Sequence, residues 1–373
     1  MDKVKVVICV PNLHGGGAER VALQLARGLD PQHFDARLYV HERQGSLLGM
    51  ISPEMQVTFQ NDKPYRRNQL PGNFLGSLDQ ARDADVVVGA NEGRASALAL
   101  VAGRLLGKPV ALWLHTDWAR FSQRVSWRQR LALRLYRHAS AVVACSDGAA
   151  RSFAGMFPKI PLRTISNGIP VAQVRRLAEE PLPPEDQALF TDPVVVTVGR
   201  LDHPKAHDLL IAAHAQLREG GHWHRLVILG EGPLRGALED QARELGVADS
   251  VHFLGFQSNP YRYMRHATVF ALSSRYEGFG LVLAEALACG LPVVSADCPS
   301  GPREVLDGGR FGILVAHENA AELAAGIGAL LADPERRKEL VRISGERAQD
   351  YDISTMVDGW SRLLQELARP PAR

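Results

Sequence analysis

Two glutamates eight residues apart, Glu277 and Glu285, bound the run EGFGLVLAE in the second half of the chain. Gly278 and Gly280 flank Phe279, and LVLAEALACG reads as a short helix stopped by Gly290 and Pro292. A helix that starts on glycines can aim the backbone N–H groups of Phe279, Gly280 and Leu281 at a phosphate, and its dipole favours the anion. Glu285 has Leu283, Ala284, Ala286, Leu287 and Ala288 around it, so its carboxylate needs a ligand or partner. The two glutamates need not share a face, and each could hold hydroxyls as a bidentate acceptor. Upstream, GRLDHPK places Arg200 at a strand end and Lys205 five residues later. Two such cations suit a diphosphate leaving group and need no metal to neutralise it; solvated surface cations are the plainer alternative.

HGGGAER, residues 14–20, offers a second anion cradle between an apolar run and a helical pattern. Gly15, Gly16 and Gly17 are contiguous, and Arg20 stands where the dinucleotide fingerprint wants its third glycine, so the spacing argues against nicotinamide or flavin, although Glu42 in YVHER could pose as a ribose acid. A tight turn alone would use one glycine rather than three. The segment DWARFSQRVSWRQRLALRLYRHAS, 117–140, is basic and aromatic, with Trp118, Arg120, Arg124, Trp127, Arg128 and Arg134. It reads either as an interfacial helix near anionic lipid or a phosphorylated glycolipid, or as a docked helix with solvated arginines. Asp83 and Asp85 form an Asp-x-Asp at the opening of a strand, a poor position for a metal.

These groups must be held by a larger frame. The chain has 373 residues, 46% hydrophobic and 23% charged, which fits two globular domains. A formal net charge of +2 gives no general case for nucleic acid as a partner. Cys9, Cys145, Cys289 and Cys298 form no CxxC pair and read as reduced thiols of a cytoplasmic protein. Neither a signal peptide nor a run of the roughly 20 apolar residues of a membrane span is evident. Short Val- and Ile-rich runs alternate with helical patterns: VKVVICV, DARLYV, DVVVGA, PVALWLH, AVVACS and RTIS, then VVVTVGR, RLVILG, VHFLGF, TVFALSS, LPVVSAD and GILVA. Such runs are strands of parallel sheets covered on both faces, so the fold class is α/β with two doubly wound domains. The expected layout is a first domain at 1–170, a proline-rich linker at 171–192, a second domain at 193–351, and a C-terminal helix at about 352–373 packing back on the first.

In order along the chain, GGGAER, PVALWLH, SNGI, GRLDHPK, LGEGP, FLGF, EGFGLVLAE and GRFGILV resemble the family-4 type retaining glycosyltransferases of the GT-B fold. That resemblance implies two Rossmann-like domains facing across a cleft, the first on the acceptor side and the second binding a nucleotide-sugar donor. It assigns the donor diphosphate to Arg200 and Lys205, ribose hydroxyls to Glu285 and a hydroxyl of the transferred sugar to Glu277. The amides of Phe279, Gly280 and Leu281 would contact sugar and phosphate, and Phe256 would lie near the base. His115 would reach the donor sugar, and Gly16 and Gly17 would approach the phosphates. It implies retention by front-face attack, with the leaving phosphate accepting the acceptor proton, which fits the lack of a nucleophile paired with a base. No metal or cofactor is implied. CPSGPREVL resembles forms in transferases that use UDP-linked hexoses or N-acetylhexosamines. The expected acceptor is a lipid-linked oligosaccharide or lipopolysaccharide-type glycan at the inner face of the cytoplasmic membrane. A GT-B sugar-nucleotide epimerase and a non-catalytic nucleotide-sugar or glycolipid binding protein are the alternatives. Ala206 departs from the pattern, which often has Gly after the lysine.

Overall fold

The computed structural model describes residues 3–64, 66, 69–120 and 134–369. The chain divides into two compact units, Met1–Gly168 together with Ile353–Arg373, and Ile169–Asp352.

In the first unit, β1 (Val4–Val10), β2 (Phe34–Glu42), β3 (Gln56–Asn61), β4 (Val86–Gly89), β5 (Val110–Leu114), β6 (Ala141–Ala144) and β7 (Leu162–Thr164) form one parallel sheet. Their order is β3-β2-β1-β4-β5-β6-β7. Every residue of β4, β5 and β6 is buried, because helices cover both faces of a parallel sheet. The covering helices include α1 (Gly17–Gly28), α2 (Leu70–Arg82), α3 (Arg94–Leu105) and α4 (Asp147–Met156). Val7, Val87, Leu112 and Val142 meet Ala99, Ala102 and Phe153 in one core. The C-terminal helix Ile353–Ala368 seals the sheet: Trp360 is fully buried with its ring 4.6 Å from that of Trp113. Gly28 lets this helix approach, since a Cβ there would stand 2.7 Å from Val357.

Trp118, expected at a membrane boundary, is instead fully buried, its ring 5.1 Å from Phe153 and 5.5 Å from Tyr136. It lies four residues past the end of buried β5, where joining the core removes more apolar surface from water than an exposed position would. Arg120 and Arg134 are exposed, and a 3-10 turn spans Arg134–His138. Arg124, Trp127 and Arg128 lie outside the described residues.

The second unit opens with α5 (Val171–Ala178), inside the segment read as a linker. Val171, Val174 and Ala178 recur at helical spacing and are buried, and Asn259 donates from Nδ2 to the Leu177 carbonyl at 2.8 Å near the helix end. The prolines that suggested a linker follow this helix rather than interrupt it. Next come β8 (Val194–Val198), α6 (His207–Glu219), β9 (Arg225–Leu229), α7 (Arg235–Glu244), β10 (Val251–Gly255), α8 (Tyr261–His266), β11 (Val269–Leu272) and α9 (Leu281–Ala288). They are followed by β12 (Val293–Ala296), α10 (Pro302–Val305), β13 (Ile313–Val315), α11 (Ala320–Ala332) and α12 (Pro334–Asp350). The parallel sheet runs β10-β9-β8-β11-β12-β13 over a core of Val195, Ile228, Ala271 and Val294 with Leu210, Ile211, Ile327 and Leu330. In each sheet the winding reverses once, between β1 and β4 and between β8 and β11. Connections leave in opposite directions at such a reversal, so a crevice opens outside the strand ends.

Candidate functional site

In the second unit the two strands beside the reversal deliver the charged groups. β8 runs into Gly199 and Arg200, and β11 runs into Ser273–Glu277. The neighbouring strand-end turns are stitched backbone to backbone: Gly199 donates to Leu229 at 3.0 Å, Leu201 to Glu231 at 2.9 Å, and Gly230 to Gly255 at 2.7 Å. Side chains at Gly230 or Gly232 would collide with the Gly199 and Leu201 carbonyls, so the glycines of LGEGP permit this stacking.

Lys205 ends a 3-10 turn, His203–Lys205, and its Nζ lies 2.6 Å from Glu277 Oε1. Ser274 donates from Oγ to the same oxygen at 2.7 Å. Burial pulls the ammonium toward neutrality, but Glu277 outweighs it and holds Lys205 above its ordinary value. Ala206 takes the left-handed conformation, φ +52, that the family pattern fills with Gly, so the turn keeps its shape despite the substitution. Arg200 has a mostly exposed guanidinium, paired to Asp202 at 3.2 Å, a contact weak enough in water to yield to a ligand. Behind it, buried His207 sits with Nε2 3.2 Å from the Arg200 carbonyl; burial and then Lys205 lower it to about 4, so it stays neutral.

Helix α9 begins from Gly280, φ +85, without a side-chain cap, and ends in a Schellman motif. There Leu291 donates to the Ala286 carbonyl and Gly290 to that of Leu287, both at 3.0 Å. Leu281 is its first residue. Glu285 is buried, and the partner its apolar setting demands includes Tyr261, whose hydroxyl donates to Oε1 at 2.9 Å. The Phe279 side chain is buried against Tyr351, ring centroids 5.1 Å apart, leaving its backbone to serve the site. Phe256 is half exposed just past β10.

In the first unit, β1 leads through Gly15, φ +95, to Gly16, the extended N-cap of α1, where Gly17 is the first helical residue. Across the reversal, β4 leads to Glu92, which the sequence motifs did not single out. One oxygen of Glu92 accepts the backbone N–H groups of His115 at 2.5 Å and Thr116 at 3.0 Å, fixing the turn that follows β5. Burial raises its carboxyl to about 7, against the pull of those same donors. Burial also lowers His115 to about 3, so its ring is neutral; Nδ1 lies 3.5 Å from Asn167 Nδ2. Glu42 pairs with Arg94 at 3.3 Å. Asp85 accepts the backbone N–H of Lys5 at 2.8 Å. Position directly after the DVVVGA strand was the one sequence signal for Glu92.

Residues 15–173 match the family described as Glycosyltransferase Family 4, and residues 183–347 match Glycosyl transferases group 1. An N-acetylgalactosamine-N,N'-diacetylbacillosaminyl-diphospho-undecaprenol 4-alpha-N-acetylgalactosaminyltransferase of Campylobacter jejuni is 42% identical over 168 residues. That match spans 45% of this chain and 45% of the relative, less than half of either. A second Campylobacter jejuni protein, a GalNAc-alpha-(1->4)-GalNAc-alpha-(1->3)-diNAcBac-PP-undecaprenol alpha-1,4-N-acetyl-D-galactosaminyltransferase, is 26% identical over 98% of this chain and 99% of its own. Among solved structures, Anabaena HepE in complex with UDP-glucose superposes with a TM-score of 0.84 at 22% identity, covering 97% of this chain and 99% of that one. WaaG, a glycosyltransferase involved in lipopolysaccharide biosynthesis, superposes with a TM-score of 0.75 at 19% identity, covering 96% and 99%. With two such sheets and family matches on both halves, the chain belongs to the family-4 glycosyltransferases of the GT-B fold.

Proposed function

We propose that the protein moves a hexose or N-acetylhexosamine from a UDP-sugar to a lipid-linked oligosaccharide or lipopolysaccharide-type acceptor, with retention and without a metal. The observation that carries this reading is the Lys205–Glu277 pair at the β8/β11 reversal, 2.6 Å apart and beside the glycine-capped start of α9. A cation held in place near a helix N-terminus stabilises negative charge as it develops on a departing diphosphate. Arg200 adds a second, easily redirected cation. Glu277 uses one oxygen for Lys205 and Ser274, and the other is assigned to a sugar hydroxyl. Glu285, with Tyr261 on one oxygen, is assigned to the ribose. In the reaction, the bond from the anomeric carbon to the diphosphate breaks, and the acceptor oxygen bonds that carbon on the same face. The acceptor proton passes to the leaving phosphate, so atoms and charge balance.

The second unit is assigned to the donor and the first to the acceptor side; His115 is assigned to the donor sugar, and Gly16 and Gly17 to its phosphates. The undecaprenol-linked acceptors named for the two Campylobacter relatives support a lipid carrier. The UDP-glucose complex of HepE supports the choice of nucleotide. No helix among the described residues is long and apolar enough to cross a membrane, so contact with such a lipid is assigned to the surface.

Thermal shifts with UDP-, GDP-, ADP- and TDP-sugars test the donor: the UDP series should raise the melting temperature most, because a ligand of the native state stabilises it. Lys205→Ala should slow UDP release on the order of a hundredfold while the fold persists. Excess EDTA should leave the rate unchanged. Unaltered turnover in Lys205→Ala would remove the diphosphate role, and EDTA inhibition reversed by a divalent ion would remove metal independence.

A further inference from the structure

Arg275, between Ser274 and Tyr276 in the turn after β11, has no part in the transfer as described so far. Its side chain is only 16% exposed, yet every guanidinium nitrogen is used. Nη1 donates to the His203 carbonyl and to Asp208 Oδ1, both at 3.0 Å; Nη2 donates to Asp208 Oδ2 at 2.6 Å; Nε donates to Glu318 Oε1 at 3.0 Å. Its backbone is equally engaged: the N–H donates to the Pro204 carbonyl at 2.8 Å, and the carbonyl accepts from His317 Nε2 at 2.7 Å. Ser273 donates from Oγ to the Lys205 carbonyl at 3.0 Å. Three successive carbonyls, those of His203, Pro204 and Lys205, are therefore each received by Ser273 or Arg275.

The turn needs such a clamp. It is one 3-10 turn followed by left-handed Ala206, φ +52, so its carbonyls cannot pass into the ladder of a continuing helix. The partner loop after β13 is strained too, since Glu318 has φ +55. Non-glycine residues persist in that conformation where the surroundings over-determine them. A planar guanidinium can satisfy a bidentate carboxylate, a second carboxylate and a carbonyl at once; a lysine ammonium cannot.

We propose that Arg275 is a positioning residue for the transfer step, locking the turn that carries Lys205 to the turn that carries Glu277. The inference rests on the reading of Lys205 given above. It places the clamp's contribution in the rate of the chemical step rather than in nucleotide affinity, because Arg275 holds the backbone of the cation and touches no donor group itself.

The test is a double-mutant cycle on the full chain. It uses UDP release from whichever of UDP-glucose, UDP-galactose, UDP-N-acetylglucosamine and UDP-N-acetylgalactosamine turns over fastest, with UDP affinity measured by calorimetry. Arg275→Met should lower kcat by about 10- to 100-fold with Kd for UDP changed less than about threefold. Arg275→Lys should resemble Arg275→Met rather than the unaltered protein. In a Lys205→Ala background the further loss on Arg275→Met should be less than about threefold, as expected of residues acting as one unit. Losses that multiply, or full kcat in Arg275→Lys, overturn the inference and leave the Lys205 reading standing. A Lys205→Ala protein with unchanged turnover, or no turnover of any UDP-sugar, overturns that reading and the inference with it. Should Arg275→Met fail to fold, Asp208→Asn removes the bidentate acceptor and carries the same cycle.

Discussion

At Gly16 an added Cβ would first meet the carboxylate end of Glu19, whereas at Gly301 it would meet the backbone carbonyl of Phe279. The flexible end of a glutamate can move aside; a carbonyl fixed at the start of α9 cannot. Gly16→Ala should therefore keep its melting temperature and its UDP affinity while kcat/KM drops about tenfold, near 1.4 kcal/mol of transition-state stabilisation. Equal losses in UDP binding and turnover would show that Gly16 serves donor affinity instead. Gly301→Ala also meets φ +95, so it should cost about 2 kcal/mol or more in denaturant unfolding and weaken UDP binding by displacing the amides at Phe279 and Gly280. Preserved stability would mean the Gly301 turn relaxes freely. At this scale Lys205 and Glu277 were legible as motif residues, and Glu285 as a carboxylate whose apolar neighbours demand a partner. Glu92 and Arg275 were not, since a carboxylate and a guanidinium beside strand ends look solvated until the sheet order shows which backbone groups they receive.

Among elements, α6, the segment leading into β9, and the segment leading into β10 meet at a chain of hydrogen bonds in which each tautomer fixes the next. His224 Nδ1 donates to the His222 carbonyl at 2.9 Å, so its Nε2 accepts from His214 Nδ1 at 2.8 Å. His214 Nε2 lies 2.9 Å from Ser250 Oγ, whose hydroxyl also reaches the Val247 carbonyl at 3.1 Å. Arg218 adds positive charge that disfavours a further proton on either ring. Burial and then His224 lower His214 to about 3, and burial lowers His224 as well. In the unfolded chain both would protonate near pH 6.5. The folded state thus binds fewer protons, so stability is full above about pH 6.5 and falls as acid approaches the lowered folded values. Denaturant midpoints from pH 7 to 4.5 should show this decline, and His214→Gln should flatten it by up to about 1.4 kcal/mol per pH unit. An unchanged slope would mean other groups carry the acid sensitivity. The same elements show what periodicity can reveal. Each apolar run coincides with a strand, and the interior strands stand out because coverage on both faces leaves no polar side to disguise them. QVTFQN was missed because β3 is an edge strand with no buried side chain. Helix α5 was missed because three prolines outweighed the Val171, Val174 and Ala178 spacing just before them.

For the whole molecule, a formal net charge of +2 gives no general attraction to an anionic surface, so any lipid contact must come from a local patch. The first unit has one: Arg104, Arg134, Arg137 and His138 are exposed beside Leu105, 67% exposed, and Leu135, 38% exposed. Leu100, Val101, Arg104, Leu105, Leu135 and His138 line a hollow of about 360 Å³. Cations around protruding leucines suit the boundary between headgroups and acyl chains, with each Lys or Arg near an anionic surface contributing about 1 kcal/mol. Burial of Trp118 and Tyr136 removes two aromatic rings from this surface and shifts the apolar share to the leucines. Binding to phosphatidylglycerol vesicles should therefore respond to two separable changes. Replacing Arg104, Arg134 and Arg137 with Glu should weaken sedimentation with vesicles at least about a hundredfold, and added salt should weaken the unaltered protein in the same direction. Replacing Leu105 and Leu135 with Ser should weaken binding while leaving its salt dependence in place, since apolar insertion is not screened. Vesicle binding that survives the arginine changes, or that never occurs, would remove this patch from contact with the lipid and leave the acceptor glycan to be met in solution.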